Sequence, residues 1–249
     1  MAIRMSPETV AESPSPTSGL LSLPIFVSPR NKFLIGTATF FFAAGVYLVS
    51  NHYPVFEPQL LAMTRLDRSI PFLPWSVLIY VSEYPYFAVA YLLCHGRLNL
   101  NRVVYSLVAL QLLSVSIFML WPTTYPRDFY PLPDNLNPIV QWVFTHLRQG
   151  DAPTNCCPSL HVSSVFLCGM VFMNEQRKLL APFMIWATLI GLSTLTTKQH
   201  YVVDVVTGLA MALLFHWFFY RKTAYKPLPE LVTEIKSRRL LTSRMDKNL

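Results

Sequence analysis

Six apolar stretches, each near the length at which a helix crosses a bilayer, constrain this chain more than anything else in its sequence. They run from Phe33 to Ser50, Phe72 to Cys94, Val103 to Trp121, Ser159 to Met173, Leu179 to Thr196 and Tyr201 to Tyr220. About 20 residues are needed to span a hydrocarbon core about 30 Å thick, so the ends of the shorter runs are soft by several residues. Only 13% of the residues are charged and 53% are hydrophobic, which is about half the charge density of a soluble domain. Lipid is therefore the main solvent. Six spans and their connections occupy most of the 249 residues and leave no room for a second domain. The expected fold is all-α, a polytopic membrane protein with six transmembrane helices over residues 32–222. Residues 1–31, rich in Ser and Pro and lacking an apolar run that ends in a cleavage site, read as a disordered cytoplasmic tail, and residues 223–249 as a basic one.

Lysine and arginine accumulate on the cytoplasmic side of short loops. With the N-terminus inside, that side collects 15 of the 20 basic residues, and the other side holds only Arg65, Arg68, Arg127, Arg148 and Lys198. Both termini are expected in the cytoplasm, and the loops after spans one, three and five face the periplasm, lumen or exterior. An excess of positive charge can signal nucleic acid, but no binding motif or aromatic-basic stripe accompanies it here. Anionic lipid headgroups are the natural partners of charges that flank a membrane. Cys94, Cys156, Cys157 and Cys168 form no disulfide framework, and Cys156 and Cys157 near His161 lack zinc-site spacing. In the longest connection, Pro122 to Pro158, residues Ile139, Val140, Val143, Phe144 and Leu147 recur at helical spacing beside Trp142. That pattern predicts a short helix in the membrane interface, with a covering loop as the alternative.

The orientation gathers three polar clusters on the outer side: Pro122 to Arg127, Asn155 to His161, and Lys198 to Asp204. Polar groups brought together at one membrane depth point to an anion-handling site. His200 and Asp204 are four apart and share a helix face, so the carboxylate can hold one imidazole nitrogen and leave the other free to attack phosphorus. A purely structural His-Asp pair is the competing reading. Ser159 can open a helix whose N-H groups and hydroxyl bind phosphate oxygens, or it can be an ordinary cap. His161, two residues on, is placed to protonate a leaving alkoxide.

The run Pro158-Ser159-Leu160-His161, together with His200 and Asp204, resembles the P-S-x-H and H-x-x-x-D motifs of the type 2 phosphatidic-acid phosphatases, which share a fold with vanadium haloperoxidases. The resemblance implies a six-helix bundle with His200 as nucleophile, Asp204 as its orienting partner and His161 as general acid. The sequence also departs from that family. Leu120 stands where the first motif has its lysine, Asp128 follows Arg127 in place of proline, and Ser193-Thr194 replaces the Ser-Arg that opens the third motif. Pro122–Arg127 and Thr197–Tyr201 instead look like the branch related to inositol phosphorylceramide synthases and, more distantly, sphingomyelin synthases.

Arg127 carries over as the clamp on phosphate oxygens, where a guanidinium fork suits bidentate contact. Lys198 is a candidate for the missing cation, or an interfacial lysine reaching for headgroups. Neither a cofactor nor a metal is required by this chemistry. Glu83, near the middle of span two, is expected to face the bundle interior in a structural role, about half a bilayer from the phosphate site. His52, His95, His146 and His216 join no constellation, and the segment Asp67 to Pro74 carries no assignable chemistry. The expected function is a lipid-phosphate phosphatase working through a phosphohistidine at the outer face, acting on a phospholipid or lipid phosphate. A headgroup phosphotransferase is the alternative, and an inactive membrane scaffold a distant third. The oligomeric state stays open.

Overall fold

The computed structural model describes residues 20–229 and residue 232. Strand β1 (Leu21–Ile25) belongs to a separate unit, and helix α1 (Lys32–His52) is followed by a short connection that holds strand β2 (Gln59–Leu60) and the single-turn helix α2 (Arg65–Ser69). Thr64 and Asp67 cap α2 reciprocally, the Asp67 backbone N-H donating to Thr64 Oγ1 and the Thr64 backbone N-H to Asp67 Oδ2. A 3-10 turn at Pro74–Ser76, helix α3 (Val77–Tyr80) and helix α4 (Glu83–Leu93) make one apolar column interrupted at Val81 and Ser82. Pro85 explains the break, because its missing N-H would have bonded the Val81 carbonyl.

Helix α5 (Arg97–Leu120) leads to strand β3 (Thr123–Thr124), which pairs in parallel with β2 and bridges from Thr123 to Asn155. After α6 (Pro138–Gly150), helix α7 (Leu160–Gly169) continues as a 3-10 turn to Met173. Helices α8 (Arg177–Thr196) and α9 (Val202–Trp217) complete the bundle.

Helix α7 packs against α4, α5, α8 and α9, with Val162, Val165, Leu167 and Phe172 fully or almost fully buried. The core continues into Tyr86, Ala90, Leu100, Val103, Phe183, Ala187 and Ile190 from the surrounding helices. Helix α1 is the opposite case, with Phe33, Leu34, Phe41 and Val49 exposed along its length. That is how a helix presents itself to lipid.

Among the described residues, five helical stretches are long and apolar enough to cross a membrane: Lys32–His52, Pro74–Leu93, Arg97–Leu120, Arg177–Thr196 and Val202–Lys222. The chain is thus an integral membrane protein. The fourth expected span is helical over Leu160–Met173, but it is shorter than the rest and falls outside that set. Between residues 122 and 158 the chain forms the helix α6, with Val140 and Phe144 buried and Ile139 and Trp142 exposed.

A separate small unit contains β1 (Leu21–Ile25) and β4 (Thr223–Pro227), paired in parallel from Leu21 opposite Thr223 to Ile25 opposite Pro227. Both strands lie inside segments expected to be tails. The β-branched and aromatic residues there suffice for a five-residue ladder that hydropathy alone does not reveal. Residues 1–19 of the first expected tail and, residue 232 apart, those from 230 onward in the second lie outside the described residues.

Candidate active site

The loop between α8 and α9 presents His200. Asp204 sits in the first turn of α9, fully buried, where its Oδ2 accepts the Tyr201 N-H at 2.8 Å and lies 3.3 Å from His200 Nδ1. The Cys156 carbonyl is closer still, 2.8 Å from the same nitrogen. A carbonyl and a carboxylate only accept, so Nδ1 is the donor and the tautomer favoured in a neutral ring leaves the lone pair on Nε2. The sequence anticipates the Asp204 contact. The Cys156 carbonyl needs the fold, since Thr123 holds it in place: the Thr123 carbonyl accepts the Cys156 N-H at 3.2 Å, and its hydroxyl accepts the Cys157 N-H at 2.8 Å.

The start of α7 is locked onto α9. Ser159 donates its backbone N-H to the Asp204 carbonyl at 3.0 Å and caps α7 by accepting the Val162 N-H at 3.3 Å. Gly208 makes this approach possible, because a Cβ there would lie 2.5 Å from the Ser159 carbonyl oxygen. Of the two readings open for Ser159, the structure displays the cap; the residue is fully buried and does not line the cleft. The lock sets His161 opposite His200, with ring centroids 5.8 Å apart.

Glu83 requires a correction. It is not half a bilayer away, because its Oε1 lies 3.0 Å from His161 Nε2. The break in the second apolar column places Glu83 at the start of α4, level with the beginning of α7. Tyr80, one turn earlier, lies against the same imidazole at a tilt, with its hydroxyl 3.4 Å from Nδ1.

Arg127 reaches the cleft, but its fork is occupied. One terminal nitrogen donates to the Asp151 carbonyl at 2.5 Å and the other to the Asp151 carboxylate at 3.1 Å, while Nε is buried without a partner. Asp151 also accepts from the Tyr47 hydroxyl at 2.6 Å and the Asn51 amide at 3.2 Å, tying α1 to this wall. No motif in the sequence announces Asp151, Tyr47 or Asn51, and a carboxylate just past α6 is their only trace.

Lys198 points elsewhere. It holds a left-handed backbone, φ 57°, and its Nζ donates to the carbonyls of Asp67 at 3.1 Å and Ile70 at 2.6 Å, above the Tyr130 ring. It does not line the cleft. Burial holds its ammonium below the usual lysine range, opposed by the Asp67 charge. Asp67 Oδ1 meanwhile accepts the Val202 N-H at 2.7 Å. The segment from Asp67 onward, mute in the sequence, is thus the brace of the histidine loop.

Tyr47, Tyr80, Arg127, Asp151, His161 and His200 line one narrow cleft. Its remaining polar lining is Asn155 and Gln199, and Cys156 contributes a thiol that burial pushes well above the usual range. No group of three or more His, Cys, Asp or Glu among the described residues is arranged to hold a metal.

A family model described as PAP2 superfamily matches residues 59–218, a range that contains both histidines, Asp204 and Arg127. The chain belongs to the PAP2 superfamily. Membership bears out the resemblance read from Pro158–His161, His200 and Asp204. The chain is also similar to an uncharacterized protein of Methanocaldococcus jannaschii, 34% identical over 85 residues. That match spans about a third of each chain, 34% of this one and 33% of the relative.

Proposed function

We propose that this PAP2 protein is a lipid-phosphate phosphatase that forms a phosphohistidine on His200, in a cleft at the outer membrane face. The observation that carries the reading is the facing pair of histidine rings, 5.8 Å between centroids, in a cleft shared with Arg127. In the first half-reaction His200 Nε2 attacks phosphorus, the bond to the lipid oxygen breaks, and His161 donates a proton to the departing alkoxide. In the second, His161 takes a proton from water, whose oxygen attacks phosphorus and releases His200. Arg127 meets the charge on the transferred group, exchanging Asp151 for phosphoryl oxygens as it does so.

Six crossings fit this reading better than five. The strand just before α1 and the strand just after the last helix are hydrogen-bonded to each other, which supports an even number of crossings. Leu160–Met173 then serves as the sixth, and the excess of basic residues puts both termini in the cytoplasm.

Transfer to a lipid alcohol instead of water is the second reading. It is favoured by the amides of Asn155 and Gln199 in the cleft, the latter with Oε1 buried and unpartnered, since such groups suit a hydroxylated acceptor. Full-length protein in detergent, given a lipid phosphate with and without acceptor alcohols, separates the two. Inorganic phosphate released without an alcohol is expected; a new lipid formed only with an alcohol, and no free phosphate, would make the enzyme a transferase.

A further inference from the structure

We infer that Glu83 is a positioning residue for His161, holding its imidazolium ready to protonate the departing alkoxide, so that the site works with two opposed histidine–carboxylate pairs. The inference rests on the reading of His161 as general acid. Glu83 is 7% exposed in an apolar column, a setting in which an ionised carboxylate is costly unless it is paired. Its partner is His161 Nε2 at 3.0 Å. With that nitrogen committed, Nδ1 is the one available to a ligand, and the contact it gives up is a long one, 3.4 Å to the Tyr80 hydroxyl.

Two histidines so close must hold opposite protonation states for the chemistry to start, His200 neutral and His161 charged. Like environments would make them titrate as one coupled pair. The environments differ. The nearest acceptor to His200 Nδ1 is the neutral Cys156 carbonyl at 2.8 Å, and the Asp204 oxygen behind it, at 3.3 Å, is shared with the Tyr201 N-H. His161 meets a carboxylate directly. The other groups facing His161 are Tyr80 from the same column, His200, and the Arg127–Asp151 pair, whose charges offset each other, with Tyr47 behind Asp151. Glu83 is thus the uncompensated charge that favours imidazolium at this position.

The test uses full-length protein in detergent, with kcat/KM followed against pH for two substrates. Dioctanoyl phosphatidic acid has a poor alkoxide leaving group, and p-nitrophenyl phosphate a good one. Glu83→Gln should lower kcat/KM for the lipid phosphate at least about tenfold, spare the nitrophenyl ester to within about threefold, and move the basic limb to lower pH. Glu83→Asp, which keeps the charge at a longer reach, should give an intermediate limb and an intermediate loss, and it decides the matter if Glu83→Gln fails to fold. An equal loss on both substrates with an unmoved limb overturns the inference. If His161→Ala shows the leaving-group dependence and Glu83→Gln does not, Glu83 is structural and the acid assignment stands. If His161→Ala lacks that dependence, the acid assignment falls and takes the inference with it.

Discussion

Arg127 is a strut in the structure and a clamp in the proposed mechanism, and the geometry predicts a different magnitude for the loss of each. As the clamp it meets charge that develops on the phosphoryl oxygens, so Arg127→Ala should lower kcat/KM by at least about 3 kcal/mol, roughly a hundredfold, the loss typical of one preorganised donor. As a strut it pairs with Asp151 through two hydrogen bonds, of 2.5 and 3.1 Å. Breaking a buried pair costs about 3–5 kcal/mol when the survivor is stranded. Asp151 is not stranded: the Tyr47 hydroxyl and the Asn51 amide still reach it, and its side chain is 16% exposed. The stability loss should therefore fall to about 1–3 kcal/mol. In the double variant Arg127→Ala with Asp151→Asn the unpaired charge is gone, so stability should return to within about 1 kcal/mol of wild type while activity stays low. Arg127→Lys should rescue little, because a point charge cannot reproduce the planar fork. The measurements are thermal unfolding in detergent and phosphate release from a lipid phosphate. A double variant with restored stability and a near-normal rate would refute the clamp and leave Arg127 only its strut.

Other residues make separate demands. His200→Ala should abolish turnover and the acid-labile phosphoenzyme while the protein still folds; retention of a tenth of the wild-type rate would remove it as nucleophile. Burial opposes ionisation of Asp67, but hydrogen bonds from Thr64 and Val202 and the charge of Lys198 outweigh it and lower its pKa from 3.8. A depressed carboxylate contributes stability above that unfolded value and loses it as pH falls through the folded one. Asp67→Asn should therefore destabilise the protein at pH 7 and make little difference in strong acid, and a melting difference that persists in acid would contradict this. Gly208→Ala should cost about 1–3 kcal/mol by pushing α7 from α9, whereas Gly45→Ala, with nothing within 4 Å, should be nearly neutral in the same unfolding assay.

Hydropathy locates α1, α8 and α9 to within three residues and α5 except for its first six, because each is a long apolar run whose type does not depend on what it packs against. The short α7 was visible as an apolar stretch, but its central burial was not, since a run that faces protein and one that faces lipid read alike. The His200–Asp204 pair was legible because its geometry is local, four residues along one helix. What escaped was every contact closed over a long loop. Glu83 and His161 are 78 positions apart in the chain, Arg127 is neutralised by a carboxylate beyond α6, and Lys198 turns from the cleft to carbonyls at Asp67 and Ile70. Charge type and spacing can nominate such residues, but only the fold decides which partner each one finds.

The shortness of the helix that carries His161 bears on how a substrate arrives. Ten α-helical residues and four 3-10 residues extend roughly 23 Å, against a hydrocarbon layer about 30 Å thick. The far end is pinned, for the Glu175 carboxylate accepts the N-H groups of His95 and Gly96 and the Asn99 amide where α5 begins. In a six-crossing arrangement the shortfall of about 7 Å therefore lies at the histidine end, and it is met by a dimple in the bilayer or a water-filled recess. A lipid would enter sideways with its phosphate drawn below those of its neighbours and its acyl chains still in hydrocarbon. Turnover should then rise in vesicles of shorter-chain lipids, where the surrounding leaflet already meets the cleft at its own depth.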